Sequence, residues 1–172
     1  LRGIDSHGVG MLPTYAERRG VGAVNVNPDI KVVRDFGAVA LIDGDHGLGH
    51  VPATRGMEMA CDKAEQFGVG AVTVRNANHF GAAGVYSTMA SARGLIGMCM
   101  TGTTQRAVLP TFAKEPRYST NPIAFAAPAK RNDDFSLDMA TSTIAVGKLN
   151  IARRSEKEIP IGWASDENGV PT

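Results

Sequence analysis

His7 is the first residue of the sequence whose neighbours suit proton transfer. It follows Asp5 and Ser6 and precedes Gly8, so a carboxylate or a hydroxyl could orient its imidazole ring and tune its pKa. By themselves, these residues are better explained by an Asp/Ser helix cap or turn followed by an incidental histidine. His7 is therefore a candidate acid or base that needs support from elsewhere in the chain.

His79 is the second candidate, and it lies in the stretch Asn78-His79-Phe80-Gly81. The β-branched run at 71–74 predicts a buried strand before it, and the alanine-rich segment at 82–93 predicts a helix after it. A turn of small residues lets a ligand approach the backbone, and the positive end of the following helix favours an anion. The alternative interpretation is a glycine turn capped by a histidine.

Hydroxyl and carboxylate side chains lie at the ends of two further predicted strands. Thr103 comes just after the strand at 95–101, and Asp138 lies near the end of the strand at 135–139. Small and hydroxyl residues then lead into a helix predicted at 143–154, and such a group can hold a ribose or an amide. A plain Gly/Thr turn, and a helix N-cap by Thr141 or Ser142, would explain the same residues structurally.

The segment from Gly44 to His50 matches neither a nucleotide-binding nor a metal-binding pattern. Its glycines do not have the G-x-G-x-x-G spacing of a dinucleotide fingerprint. His46 and His50 could share a metal only on a helix, which the glycines disfavour, and no third ligand is near in sequence. We therefore predict no metal site.

The composition indicates a single globular domain and excludes several classes of function. The chain has 172 residues, of which 43% are hydrophobic and 20% charged, with a net charge of +1. Nothing in it predicts a nucleic-acid surface or a membrane segment. Cys61 and Cys99 fit neither a metal spacing nor a disulfide framework, so a cytoplasmic location is expected. The chain starts with Leu1 and stops in a turn, and we expect a longer protein.

Strands and helices alternate along most of the chain, which predicts an α/β fold. The runs at 30–34 and 39–43 predict a hairpin around Gly37. Pro52 suits a first helical turn, apolar residues recur at helical spacing as far as Phe67, and Gly68 suits the C-terminal cap. These elements must position the two histidines and the polar strand ends.

Five motifs, in their order along the chain, resemble the malate/L-lactate dehydrogenase family of the non-Rossmann type. They are Asp5-Ser6-His7-Gly8, Ile42-Asp43-Gly44, Asn78-His79-Phe80-Gly81, Thr120-Asn121-Pro122 and Asp138-Met139-Ala140-Thr141-Ser142. The family includes sulfolactate and ureidoglycolate dehydrogenases and Δ1-piperideine-2-carboxylate reductase. The resemblance implies a non-Rossmann NAD(P)-binding fold with a mixed sheet and flanking helices. It also implies a homodimer, NAD or NADP as cofactor, and a small carboxylate substrate.

The resemblance further divides the chain and assigns roles to positions. Residues 1–35 would be part of an N-terminal substrate or dimer segment, and 36–172 a cofactor-binding domain that is incomplete at its C-terminus. His7 matches the proton-transferring histidine with Ser6 as its partner, and His79 is the rival for that role. The expected cofactor-binding positions are His79, Phe80, Gly81, Ala82, Ala83, Thr103, Asp138, Met139, Ala140 and Thr141.

The resemblance also assigns roles to three positions near the substrate, and the chain differs from the family pattern at two others. Thr120 and Asn121 match substrate-binding positions, and Lys148 aligns with a catalytic position that is lysine in hydroxy-acid dehydrogenases and aspartate in imine reductases. Met11 stands where many members carry an arginine expected to hold the substrate carboxylate. Either another residue, such as Arg117 or one outside the chain, takes that role, or the substrate differs. The other departure is Ser119, where glycine is usual.

The predicted function is hydride transfer between NAD(P) and a malate-like or lactate-like 2-hydroxy acid. A histidine would take the hydroxyl proton, because its pKa lies near operating pH. One alternative within the oxidoreductases is reduction of a cyclic imine carboxylate. A metal-dependent hydrolase and a non-catalytic protein on this scaffold are the alternatives from other classes.

Overall fold

The structure is a computed structural model that describes residues 6–103 and 105–172. Asp5, which belongs to the first motif, lies outside the described residues. A 3₁₀ helix at Gly8–Met11 leads into helix α1. The elements are α1 (Leu12–Gly20), β1 (Lys31–Phe36), β2 (Val39–Asp43), α2 (His50–Phe67), β3 (Ala71–Arg75), α3 (Gly84–Ser91), β4 (Gly97–Met100), β5 (Ile123–Ala127), β6 (Phe135–Met139) and α4 (Val146–Arg154).

The first sheet is mixed and has the strand order β1-β2-β3. β1 and β2 form the predicted hairpin, and β2 pairs with β3 in parallel across the α2 connection. α2 ends where the sequence predicts, because Gly68 adopts a left-handed φ of 81° that suits a C-cap. Gly56 of α2 lets the helix approach the sheet closely, since a Cβ there would lie 3.3 Å from Val74 Cγ2.

The second sheet is antiparallel and has the order β4-β5-β6. α3 packs on the face that carries the buried Ala124 and Ala126. Gly97 permits this close packing, because a Cβ there would lie 2.3 Å from the Ser87 carbonyl oxygen. The strand residues that alternate with the packed ones form an apolar, exposed face: Met98, Met100, Ile123, Phe135, Leu137 and Met139.

A groove of about 970 Å³ lies along β3 and β4. Both strands are at the edge of their sheets within the described residues. Met57, Ala60 and Ala64 of α2 line the groove, and it reaches Phe80 and Gly102. The groove therefore runs from the apolar part of the first sheet to residues of the predicted site.

The α/β class is confirmed, as are the hairpin and the helix from Pro52 to Phe67. The strands form two small sheets, and the mixed pairing is confined to the first. The proposed boundary between residues 35 and 36 falls within β1, and the division into two segments stays a prediction. No helix in the described part of the chain is long and apolar enough to cross a membrane.

Candidate functional site

Two turns at the ends of β2 and β3 are held together by backbone hydrogen bonds. The His46 amide donates to the Asn76 carbonyl (2.7 Å) and the Gly49 amide to the His79 carbonyl (3.0 Å). The Asn78 amide donates to the Gly47 carbonyl (2.9 Å). His79 therefore stands on a backbone that the preceding glycine-rich turn fixes in place.

Asp43 orders the start of this arrangement. Its carboxylate accepts hydrogen bonds from the Asp45 amide, the Arg75 guanidinium and the Asn76 side chain, at 2.9–3.0 Å. The backbone hydrogen bond and these donors lower the pKa of Asp43 below its usual value. Through these three donors the Ile42-Asp43-Gly44 motif helps to order the two turns, although no chemical role was predicted for it.

Gly49 is required where the two turns meet. A Cβ at this position would lie 2.3 Å from the Asn78 carbonyl oxygen and 2.7 Å from Phe80 Cβ. Phe80 is held from its other side, because its ring stacks on Tyr86 at 5.1 Å and its carbonyl accepts the Tyr86 hydroxyl. Any side chain at Gly49 would therefore push the segment that carries His79.

The structure brings the two candidate histidines together. The rings of His7 and His79 stack with centroids 5.6 Å apart and planes inclined by 24°. Ser6 Oγ lies 2.9 Å from His7 Nδ1, as the sequence predicts for the partner of that histidine. Two motifs that lie before and after the first sheet in the sequence therefore form one imidazole pair.

His79 also has a partner that the sequence did not reveal. Tyr15 of α1 places its hydroxyl 2.6 Å from His79 Nδ1, and the Gly81 amide donates to the same nitrogen at 3.2 Å. Burial, and after it the neighbouring His7, His50 and Arg18, together lower the pKa of His79 to about 4. The imidazole is therefore neutral at physiological pH.

His50 completes this group at the first residue of α2. Its ring meets Tyr15 edge-on, with centroids 5.6 Å apart, and burial lowers its pKa. Gly81, with a φ of 83°, passes so close that a Cβ there would lie 3.1 Å from His50 Nε2. We call Ser6, His7, Tyr15, His50 and His79 the histidine cluster.

His46 is not part of the histidine cluster as the structure describes it. It is exposed and has a left-handed φ of 56°, whereas His50 begins a helix, so the two do not share a helical face. Across residues 6–103 and 105–172, no group of three or more His, Cys, Asp or Glu side chains is arranged to hold a metal ion.

α4 contacts the histidine cluster through Gly147, which packs on Ser6, and Lys148 is the next residue of the helix. Gly147 packs on Ser6 so closely that a Cβ would lie 2.7 Å from Ser6 Cβ. The Lys148 ammonium is 5.8 Å from the centroid of the Trp163 ring, a cation–π arrangement on an exposed surface. α4 therefore delivers Lys148 to the neighbourhood of Ser6, with its charge resting over an aromatic ring.

A second group of predicted residues meets at the ends of β4, β5 and β6. The Thr103 amide donates to Asn121 Oδ1 (3.2 Å), and the amide and hydroxyl of Thr141 both donate to the Thr120 carbonyl. Asn121 holds an uncommon φ of 33°, which asparagine tolerates better than most residues. We call Thr103, Thr120, Asn121, Asp138 and Thr141 the strand-end cluster.

Ser119, the departure from glycine, is buried beside this cluster. Its hydroxyl donates to Thr103 Oγ1 at 3.3 Å, and the same Thr103 oxygen accepts the Gln105 amide. The substitution therefore adds a hydrogen bond to a predicted cofactor-binding residue, so its effect is structural.

Asp138 connects the strand-end cluster to the segment that carries His79. Its Oδ2 accepts the amide hydrogen of Gly84, the first residue of α3, at 2.7 Å. Gly84 must be glycine here, since a Cβ would lie 2.8 Å from the same oxygen. A carboxylate at a helix N-terminus is favourable because it satisfies a free amide and faces the positive end of the dipole.

The remaining predicted cofactor positions flank these contacts. Ala83 is buried against the start of α3, and Gly81 and Ala82 are half-buried beside it. Met139 points to the exposed apolar face of the second sheet, because alternate residues of a strand face opposite sides. Ala140 and Thr141 follow at the strand end, where the Thr141 side chain is exposed.

The chain belongs to the malate/L-lactate dehydrogenase family, whose sequence profile matches residues 1–172. A malate dehydrogenase of Pyrococcus horikoshii is 48% identical over 169 residues, which are 98% of this chain and 46% of that protein. The chain thus spans about half the length of the curated relatives it matches. The resemblance seen in the five motifs is confirmed.

Solved structures give the same result for the fold. A malate dehydrogenase from Entamoeba histolytica superposes with a TM-score of 0.93 at 38% identity, covering 99% of this chain and 47% of that one. A Δ1-piperideine-2-carboxylate reductase from Pseudomonas syringae superposes with a TM-score of 0.89 at 30% identity, covering 97% of this chain and 50% of that one. The non-Rossmann fold predicted from the motifs is therefore the fold of this chain.

Proposed function

We propose that the complete gene product carrying this chain transfers a hydride between NAD or NADP and a small 2-hydroxy acid of the malate or lactate type. The observation that carries the proposal is the imidazole pair of His7 and His79, 5.6 Å apart. Removing a hydride from C2 of a 2-hydroxy acid requires that its hydroxyl proton leave as well, and an imidazole can accept that proton near neutral pH.

His7 is the proposed proton-transferring residue. Its Nδ1 lies 2.9 Å from the Ser6 hydroxyl, which can either donate or accept a hydrogen bond. The imidazole can therefore change its protonation state without losing its partner. In oxidation it takes the proton of the hydroxyl, and in reduction the imidazolium returns that proton to the new alkoxide.

The residues around His79 and the strand-end cluster suit a nicotinamide cofactor, which would supply the hydride acceptor. The stretch from Gly81 to Gly84 carries no side chain larger than a methyl group, so a flat ring can approach its backbone. Thr103 and Thr141 are exposed at neighbouring strand ends, where hydroxyls can meet a ribose or an amide. These residues would bind and orient the cofactor.

The substrate carboxylate needs a cation, because Met11 cannot provide one. Arg18 lies on α1 three positions after Tyr15, so both reach the same side of the helix. Its guanidinium donates to Asn78 Oδ1 at 3.3 Å and lowers the pKa of His79. Arg117, by contrast, is paired with Glu115. Because the charge of Arg18 acts on His79, we choose Arg18 to hold the substrate carboxylate. Thr120 and Asn121 would contact the remaining substrate atoms.

Replacing His7 by Ala tests the proposal. We expect kcat for oxidation of malate or lactate by the complete gene product to fall about 10²-fold or more, with cofactor affinity nearly unchanged. His46→Asn is the matched control, since His46 is exposed in a left-handed turn that asparagine tolerates. Full activity of His7→Ala, with loss of activity in His79→Ala, would exchange the two roles.

Reduction of a cyclic imine carboxylate is the second candidate function. The structural likeness to a reductase of that kind favours it, whereas lysine at position 148 favours the hydroxy acid. Assaying oxaloacetate and pyruvate beside piperideine-2-carboxylate separates the two. A value of kcat/KM that is highest for the imine would overturn our first choice.

We also propose that the protein is a cytoplasmic homodimer. Both cysteines are free, and burial raises the pKa of Cys99 to about 11, so its thiol is unreactive at neutral pH. Free, unreactive thiols are typical of proteins in a reducing compartment. Analytical ultracentrifugation of the complete gene product tests the dimer, and a monomer at all concentrations would refute it.

A further inference from the structure

We propose that Tyr15 and the backbone amide of Gly81 lock His79 in the tautomer that carries its proton on Nε2. His79 then serves as a fixed hydrogen-bond donor to the substrate oxygen, while His7 moves the proton. Tyr15 is thus a positioning residue that acts through His79. The part of this inference that concerns the substrate rests on the proposed function, whereas the tautomer does not.

The amide of Gly81 decides which nitrogen of His79 is protonated. A backbone N–H can only donate, and this one points at Nδ1 at 3.2 Å. Nδ1 must therefore be the acceptor and carry no proton. A neutral imidazole holds its single proton on the other nitrogen, so Nε2 is an N–H donor.

The hydroxyl of Tyr15 strengthens the same assignment. It lies 2.6 Å from the Nδ1 that Gly81 has already defined as an acceptor, so the hydroxyl donates. Burial raises the pKa of Tyr15, which keeps this hydroxyl protonated. The His7 ring stacks on one face of this imidazole, with centroids 5.6 Å apart.

The charges around His79 keep the locked tautomer neutral. Arg18 faces it from α1, His50 from the start of α2 and His7 from the 3₁₀ helix, and all three oppose a further positive charge. Burial is the largest cause in the same direction, and together with these charges it brings the pKa of His79 to about 4. His79 therefore remains a neutral donor at physiological pH.

The two histidines thus differ in whether the group that contacts Nδ1 can both donate and accept a hydrogen bond. Ser6 can reverse the direction of its hydrogen bond, so His7 is free to gain and lose a proton. His79 faces a backbone amide that cannot reverse. A donor that is fixed in advance stabilises the charge on the substrate oxygen as the proton leaves or arrives. His79 is hence the weaker candidate for proton transfer and the better one for polarisation.

Nitrogen-15 NMR of histidine-labelled complete gene product tests the lock directly. We expect the His79 signals to show an unprotonated Nδ1 and a protonated Nε2 at pH 7. In Tyr15→Phe, which keeps the ring and the Gly81 amide but removes the closer donor to Nδ1, we expect a minor population with the proton on Nδ1 to appear and the pKa of His79 to rise. Tyr118→Phe, which removes an exposed hydroxyl, should leave the signals unchanged.

Kinetics of the same variants give a second readout. Tyr15→Phe should lower kcat about 10-fold with little change in the KM for the cofactor, the size of one lost hydrogen bond. His79→Gln places an amide N–H near the position of Nε2 and should retain more activity than His79→Asn, whose amide reaches only toward Nδ1. His7→Gln should gain no such rescue.

The possible results separate this inference from the proposed function. A proton on Nδ1 of His79 in the wild type, or an unchanged His79 spectrum in Tyr15→Phe, would overturn the lock. Equal loss of activity in His79→Gln and His79→Asn would overturn the role as a donor. A locked tautomer in a protein that oxidises no 2-hydroxy acid would refute the proposed function and uphold the lock.

Discussion

The histidine cluster and the strand-end cluster are built by different kinds of contact. In the histidine cluster, side chains hold side chains, as Ser6 does for His7 and Tyr15 for His79. In the strand-end cluster, backbone groups take part in most contacts, as in the two bonds that Thr141 makes to the Thr120 carbonyl. The first should therefore respond strongly to substitutions and pH, and the second should tolerate many side-chain changes.

Gly49→Ala should have the largest effect, because it acts on the backbone below the histidine cluster. The new methyl group would lie 2.3 Å from the Asn78 carbonyl oxygen, so the segment carrying His79 must shift. We expect turnover to fall about 10²-fold, as for a misplaced catalytic group, and the free energy of unfolding to drop by about 1–3 kcal/mol. Steady-state kinetics and urea denaturation measure both.

Gly102→Ala is the matched change beside the strand-end cluster. Its nearest neighbour would be Asn121 Oδ1 at 4.0 Å, an ordinary contact. We expect the free energy of unfolding to change by less than about 0.5 kcal/mol. If Gly102→Ala proved as damaging as Gly49→Ala, the two clusters would not differ as we describe.

Asp138→Ala should have the next largest effect, because it is the side-chain contact that links the clusters. Loss of the carboxylate leaves the Gly84 amide without its acceptor at the start of α3. We expect the free energy of unfolding to fall by about 1–3 kcal/mol and cofactor affinity to weaken. Denaturation and fluorescence titration with NAD(P)H measure the two effects, with the exposed Asp133→Ala as control. An unchanged free energy of unfolding in Asp138→Ala would show that the hydrogen bond between Asp138 and the Gly84 amide does not stabilise the fold.

The pH dependence of stability gives a further test, which belongs to the histidine cluster. The pKa of His79 is lowered to about 4 in the folded state from 6.5 in the unfolded state. The unfolded chain therefore binds more protons between these values, and the free energy of unfolding should fall as pH drops from about 6.5 toward 4. His79→Gln should flatten this part of the profile in urea denaturation at fixed ionic strength. A profile of equal slope in the variant would contradict the assignment.

Local sequence patterns predicted most of the secondary structure, whereas the roles of the site residues stay predictions. The helix ending at Gly68 and the hairpin at Gly37 depend on neighbours in sequence, so composition and spacing suffice for them. Ser6 could be paired with His7 for the same reason. The five ordered motifs then identified the family.

Contacts between distant parts of the chain could not be predicted in this way. Tyr15 and His79 are 64 positions apart, and nothing around Tyr15 marks it as more than a helical aromatic. His50 was considered only as a metal ligand, because its ring contact with Tyr15 depends on how α1 docks. Asp138 was predicted to hold a cofactor, whereas its visible partner is the amide of Gly84.

The groove between β3 and β4 has a practical consequence for handling the protein. Within the described residues each strand pairs on one side only, so two rows of backbone donors and acceptors border an apolar trough. Unprotected edges of this kind are templates for pairing with other chains. We expect residues 1–172 expressed alone to self-associate through these edges. Light scattering of residues 1–172, measured beside the complete gene product, tests this expectation.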